Sequence, residues 1–415
     1  MDGRRLFTPV RGMNRILMLT VVSVAFAGPD SCTPLSHEFA RHDAPAIVFR
    51  SALSKPFDDC SAVSNSSTGY TQVVALWLMK RLAHDAEGWV VINANKERTP
   101  GCVISDASGI IHSDFSALSL FTNIVRVIDI RSKFPLLSLS AVHIHWIHDA
   151  HRQHQFAGPG GNESLASYDK VVVVSKSTHW EWSRTNNVDN FMVIENALVG
   201  VDLDARNQSH SPHLLVAHSA KTDWKRLWEI FVALRKQDSR FRLAIACPSY
   251  FASKLPGLGQ VPKGVRSLGS LPRSTILKMV GQALAVIYPT QHQESFGAIF
   301  AESNQIGTPV LTNHVAGSTA HEMLFPVEGQ ILDENAQNEA FVDTLLAWSS
   351  GGRPHVVYPG PDESDIYRKW SVLLGIHDHG QDDEQTMLVA YDAEVTQEGA
   401  GECARVNVAG EIHGE

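Results

Sequence analysis

Tyr288-Pro-Thr-Gln-His-Gln-Glu-Ser-Phe-Gly-Ala-Ile-Phe-Ala-Glu302, followed by Gly307-Thr-Pro-Val310, is the stretch on which the reading of this chain turns. The run Ala283-Leu-Ala-Val-Ile-Tyr288 has strand chemistry, a short polar loop carries Glu294, and Gly297 opens a helix expected from about Ala298. In open α/β sheets, ligands sit in the crevice outside the carboxyl ends of the strands. A helix that starts there presents unbonded backbone N–H groups and the positive end of its macrodipole, which suits a diphosphate. Glu294 lies in the loop and Glu302 about one turn inside the helix, at different depths of one crevice. A carboxylate that accepts from two vicinal hydroxyls makes two charge-assisted hydrogen bonds, which is how a ribose or a sugar ring is usually read.

The pattern on either side is α/β alternation. Ala46-Ile-Val-Phe-Arg-Ser51, Trp89-Val-Val-Ile-Asn93, Ala141-Val-His-Ile-His-Trp-Ile-His148 and Lys170-Val-Val-Val-Val-Ser175 read as strands. Between the first two, the turn cluster Ser64 to Gly69 leads into a helix over Tyr70 to Ala83, with Val73, Leu76, Trp77, Met79 and Leu82 at three- and four-residue intervals. The polar, proline-broken segment Gly200 to Pro212 is the expected linker. After it, Leu214 to Ala217, Arg242 to Ala246, Ala283 to Tyr288 and Pro309 to Thr312 read as strands, with a helix from about Trp224 to Lys236. The expected architecture is α/β, with two doubly wound Rossmann-like domains facing across a cleft. Residues 45–208 would form an N-terminal domain and 209–357 a C-terminal domain. A return helix is expected over 358–377.

Length and composition agree with a two-domain globular enzyme: 415 residues, 44% hydrophobic and 19% charged. A net charge of −9 with no basic stripe argues against nucleic acid as a partner. The five cysteines lie far apart, without a Cys-x-x-Cys pair, so neither a zinc ribbon nor a disulfide framework is indicated. Residues 1–44 read as a leader, in which Arg4, Arg5, Arg11 and Arg15 precede an apolar run from Ile16 to Ala27. That run resembles a signal peptide and reads equally as a buried first strand, so cytoplasmic, membrane-associated and secretory locations stay open. It also allows peripheral membrane contact. From Asp378 to Glu415 the chain carries ten Asp or Glu against one Arg, the composition of a disordered acidic tail.

Glu294 and Glu302 separated by seven residues, with Ser-Phe-Gly between and Gly-x-Pro-Val downstream, resemble the motif of the retaining transferases of glycosyltransferase family 4. The similarity runs from about Ala46 to Ile376. It implies a GT-B fold and transfer of a hexosyl unit from a nucleoside diphosphate sugar to an acceptor hydroxyl, with retention of configuration. The acceptor would be a carbohydrate, a lipid-linked species or a protein glycan, and no metal or other cofactor is implied. The resemblance gives Glu294 a contact with the donor sugar and Glu302 one with the ribose, with Ser295, Phe296 and Gly297 facing the sugar or phosphates. Lys225 matches the family's diphosphate-binding Lys. His148, ending Trp146-Ile-His-Asp149, resembles a histidine beside acceptor and donor sugar. Gly69 falls in the phosphate loop, Gly269 ends the loop around the base, and Ile194 to Asp202 resembles the family's hinge.

Two positions depart from the pattern. Ala220 stands where the family has Arg, leaving Lys221 or Arg226 to substitute, and a Lys supplies the charge without the planar fork. The glycine loop is reduced to Thr68-Gly69. Two rival readings therefore stand beside the transferase. One is a catalytically silent sugar-nucleotide-binding module. The other is a metal-dependent hydrolase built on His143 and His145 in a set with His148, His151 and His154, because His-x-His on a strand puts both rings on one face. Asp202-Leu-Asp204 resembles the metal motif of another transferase architecture but sits in the expected hinge, and reads as coincidence.

Overall fold

The computed structural model describes residues 33–34, 44–51, 70–96, 102–105, 108–132, 134–135, 140–149, 165–185, 189–201, 209–219, 221–246, 262–324, 329–356, 358 and 360–376. The apolar run 16–27, the tail 378–415, Gly69, His151, His154, Ala220 and the Asp202 to Asp204 segment lie outside them.

Two sheets organise the chain. The first lobe contains β1 (Thr33–Pro34), β2 (Ala46–Ser51), β3 (Val90–Asn95), β4 (Cys102–Ser105), β5 (Ile111–Ser113), β6 (Ile124–Ile130), β7 (Val142–Ile147), β8 (Lys170–Val173) and β9 (Phe191–Val193). Their spatial order is β1-β4-β5-β3-β2-β6-β7-β8-β9. From β5 to β9 every neighbouring pair is parallel, while β4 and β1 add an antiparallel margin. The second lobe contains β10 (Leu214–Ala217), β11 (Arg242–Ala246), β12 (Val265–Gly269), β13 (Ala285–Tyr288), β14 (Val310–Asn313) and β15 (Ile331–Leu332). It is parallel throughout, in the order β12-β11-β10-β13-β14-β15. Chain order runs outward from β10 to β12 and then restarts at β13 on the other side. The boundary between β10 and β13 is thus a topological switch point, where open α/β sheets bind ligands.

Helices cover both faces, as parallel strands require. The helix α1 (Tyr70–Asp85) buries Val74, Leu78, Met79 and Leu82 against Ile47, Phe49, Val91 and Ile128 of the first sheet. The short helix α2 (Lys176–Thr185) follows β8. In the second lobe, α3 (Trp224–Gln237) packs Leu227, Ile230, Phe231 and Leu234 on one face of the sheet, together with α7 (Asn338–Ala347). On the other face lie α4 (Arg273–Gly281), α5 (Ala298–Ile306) and the one-turn α6 (Ala320–Leu324). The chain then returns to the first lobe in α8 (Glu363–Leu374), whose N-cap Asp362 accepts from Ser364 N–H. Trp370 of α8 meets Trp146 of β7 edge-on, with ring centroids 4.6 Å apart, and Arg126 Nε donates to the carbonyl of Leu374. One apolar cluster runs through both lobes, from Ile47 and Trp146 to Val286, Phe300 and Trp370. No described helix is long and apolar enough to cross a membrane.

Candidate active site

The expected crevice residues gather at the switch point. Tyr288 ends β13 and is fully buried, and the next residues are knitted to the neighbouring strand ends. Thr290 N–H donates to Asn313 Oδ1 at 3.0 Å, Asn313 Nδ2 returns a bond to Thr290 O, and Thr290 Oγ1 donates to the carbonyl of Lys221. Asp223 N–H closes on Pro289 O at 2.7 Å and its side chain caps α3. The loops after β10 and β13 therefore form one braced unit, which fixes where Glu294 can stand.

Glu294 is 8% exposed and both of its oxygens are engaged. Tyr288 Oη donates to Oε1 at 2.5 Å, and Lys221 Nζ to Oε2 at 3.0 Å. Burial raises the Tyr288 phenol well above its ordinary value, and the charge of Glu294 raises it further, so this tyrosine remains a donor at neutral pH. Ser295, the next residue, is tied to the opposite lobe. Its hydroxyl donates to the carbonyl of His148, and its own carbonyl accepts from Ser175 Oγ at 2.6 Å and Thr178 Oγ1 at 2.8 Å. Gln293 Nε2 donates to Glu181 of α2, and Glu322 of α6 accepts from the Lys176 and Ser177 amides at the start of α2. Phe296 is buried and stacks on Tyr70 of α1 with ring centroids 6.0 Å apart.

Gly297 is the N-cap of α5 in the left-handed region, at φ 69° and ψ 50°. A Cβ there would lie 2.5 Å from Phe300 Cδ2 and 3.0 Å from Thr319 Oγ1, so only glycine turns the loop into the helix at this point. Glu302, on the buried side of α5, is bonded through Oε1 by Arg273 Nε and Nη2 at 3.0 and 2.6 Å. The two carboxylates thus occupy one loop and helix at the end of β13, each with a basic partner.

His148 follows the last residue of β7 and is buried against Trp146, with Asn196 Nδ2 3.5 Å from its Nδ1. Burial first, then the charge of Arg131, holds its imidazole well below the ordinary value, so the ring is neutral at pH 7. Its Nε2 has no hydrogen-bond partner among the described residues. His143 and His145 have the opposite strand parity, and the His145 ring lies 4.9 Å from Tyr168 on the face away from Trp146 and His148. Among the described residues no three His, Cys, Asp or Glu are grouped to hold a metal ion.

Of the three cations considered from the sequence, Lys221 meets Glu294. Lys225 is exposed in the first turn of α3. Arg226 is directed to Asn338 and the Ala336 carbonyl, with its guanidinium 4.9 Å from the Phe341 ring centroid. Gly269 ends the edge strand β12 at φ 66°. Sequence reasoning missed Tyr288, Arg273, Tyr70 and His218, which directly follows β10. Arg273 did leave a trace: it is a cation in the first turn of a helix, the end where the macrodipole disfavours one.

No family model matches the chain, and no curated protein matches it. Solved structures do. Sucrose-phosphate synthase from Thermosynechococcus elongatus superposes with a TM-score of 0.56 at 16% identity, covering 86% of this chain and 97% of its own. A glycosyltransferase from Rickettsia africae gives 0.52 at 15% identity, covering 86% and 99%. The Anabaena protein HepE, solved with UDP and glucose, gives 0.50 at 12% identity, covering 80% and 99%. The chain has the GT-B fold, with two parallel-sheet α/β domains. At these identities the likeness establishes the fold, and function is argued from the site.

Proposed function

We propose that this protein is a glycosyltransferase that moves a hexosyl unit from a nucleoside diphosphate sugar to an acceptor hydroxyl, with retention of configuration, in the manner of glycosyltransferase family 4. The observation that carries the reading is the burial of Glu294 and Glu302 on one loop and helix at the switch point of the second sheet. The GT-B fold supports it, as does the presence of UDP and glucose in the HepE structure.

In this reading Glu302 accepts from the ribose hydroxyls and Glu294 from the donor sugar. The start of α5 and Lys221, with Lys225 as the nearby exposed cation, offset the charge that grows on the departing diphosphate, without a metal. Phe296, Gly297 and Ser295 set the backbone against the sugar and phosphates, and Gly269 borders the base. Neutral His148 offers its free Nε2 to the sugar from the facing lobe. The Ser295 bonds to His148, Ser175 and Thr178 hold the two lobes together there, which limits water as a competing acceptor.

The test is release of nucleoside diphosphate over a panel of activated sugars, wild type against Glu294→Ala. Release by the wild type well above the variant supports the transferase, and equal rates overturn it. A second reading, sugar-nucleotide binding without turnover, is favoured by the direct Lys221–Glu294 pair, which engages the cation and the carboxylate with each other. Donor binding by calorimetry without release would select it.

A further inference from the structure

Arg273 reaches three parts of the molecule at once. Its Nε and Nη2 donate to the same oxygen of Glu302, and its Nη1 donates to the carbonyl of Val199, in the segment leaving the first lobe. Its guanidinium carbon lies 5.9 Å from the ring centroid of Tyr70, at the start of α1. Tyr70 is itself fixed: its hydroxyl donates to Ala197 O at 2.7 Å and its ring stacks on Phe296 of the motif loop. Oε2 of Glu302 accepts no hydrogen bond from the described residues.

A buried carboxylate without a partner is strongly disfavoured, and one paired through a single oxygen keeps the other for a ligand. We propose that Arg273 is a positioning residue for nucleotide recognition. It saturates Oε1 of Glu302, turns Oε2 toward the ribose hydroxyls, and registers that carboxylate against the first lobe through Val199 and Tyr70. The inference rests on the reading of Glu302 as the ribose-binding carboxylate. A lysine at this position could supply charge but not a fork reaching Glu302 and Val199 together.

The test is calorimetric binding of UDP, GDP and ADP to the full chain, then of the 2′,3′-dideoxy form of whichever binds. Wild type is expected to prefer the ribo form by about tenfold or more, the scale of hydrogen bonds to a charged group. Glu302→Ala removes that preference. Arg273→Lys and Arg273→Met are expected to cut it to about twofold or less by weakening the ribo form alone, because only the ribose contact is lost. If Arg273→Met does not fold, Arg273→Lys decides. A preference kept in Arg273→Lys but lost in Glu302→Ala overturns the role of Arg273 and leaves the ribose reading standing. Equal weakening of both forms in Arg273→Lys also overturns it, since that is the mark of general loosening. A wild type that binds none of the three, or binds without ribo preference, overturns both.

Discussion

The hydroxyl of Ser295 donates to the backbone carbonyl of His148, so the loop that presents Glu294 is bonded to the end of β7 in the opposite lobe. Both residues are buried. Ser295→Ala is expected to cost about 1 kcal/mol of stability, the usual net value of one hydrogen bond. It should also speed amide exchange over 293–297 and 176–181 together, because the remaining bridges from Ser175 and Thr178 hold a looser seam. Exchange that rises on one side only would show that the bond does not couple the lobes.

Tyr288→Phe keeps the ring in the core and removes the hydrogen bond to Glu294 Oε1. Loss of a bond to a charged group is expected to lower turnover about tenfold or more, with a smaller effect on donor affinity. Steady-state kinetics would separate the two. An unchanged turnover would mean that Lys221 alone fixes the carboxylate.

Gly297→Ala is expected to destabilise the second lobe by about 2 kcal/mol, from the left-handed backbone together with displacement of Phe300. Urea unfolding would measure it. Gly269→Ala makes a useful contrast, because its φ is similarly positive while its added Cβ meets nothing within 4 Å, leaving the backbone term alone.

Arg50 Nε and Nη2 grip both oxygens of Asp129 at 2.6 and 2.8 Å, and Tyr168 Oη adds a third bond at 2.8 Å, all in the interior. Burial nevertheless raises the Asp129 carboxyl, more than Arg50 lowers it. Arg50→Met should therefore cost about 3 to 5 kcal/mol by stranding a buried charge, whereas Arg50→Met with Asp129→Leu should recover much of that loss. A double variant as unstable as the sum of the singles would contradict this.

His218 and His148 both sit below the ordinary 6.5, His218 at about 4, with burial the larger cause and the charges of Arg273 and Arg131 next. The unfolded chain takes up these protons near pH 6.5, and the native chain only at lower pH. For His218, stability is thus fully present above pH 6.5 and falls as pH drops toward 4, by about 1.4 kcal/mol per pH unit, and His148 acts in the same direction. His218→Gln should flatten that slope in unfolding curves taken from pH 7 to 4.5. A slope identical to wild type would exclude the contribution of His218.

The crevice itself was legible because its signals are local. An apolar run, a polar loop, Gly297 and the Gly307-Thr-Pro stop together dictate strand, turn and helix, and α5 ends at a left-handed Gly307. Other parts depend on partners far along the chain. Strand β6 escaped notice because Arg126 and Asp129 interrupt its apolar run, and both make sense only beside Leu374 and Arg50. Tyr288 reads as one more core aromatic until the loop folds Glu294 back over it. Lys225 stands at the spacing of the motif's diphosphate-contacting Lys, while the pairing of Lys221 with Glu294 is a contact that the motif's spacing does not announce. Spacing along the chain does not say which way a side chain leaves a helix or loop.

The contact between Trp370 and Trp146 sets the order of folding against the order of synthesis. On the ribosome the strands of the first lobe emerge early, but one flank of their core is covered by Ile366, Trp370 and Leu374 from α8. Until that helix is released, Trp146 lacks the ring of Trp370 on that flank. The first lobe, though synthesised first, therefore completes this flank of its packing only when the last helix arrives, and a nascent chain stalled after the second lobe would leave that flank without Ile366, Trp370 and Leu374.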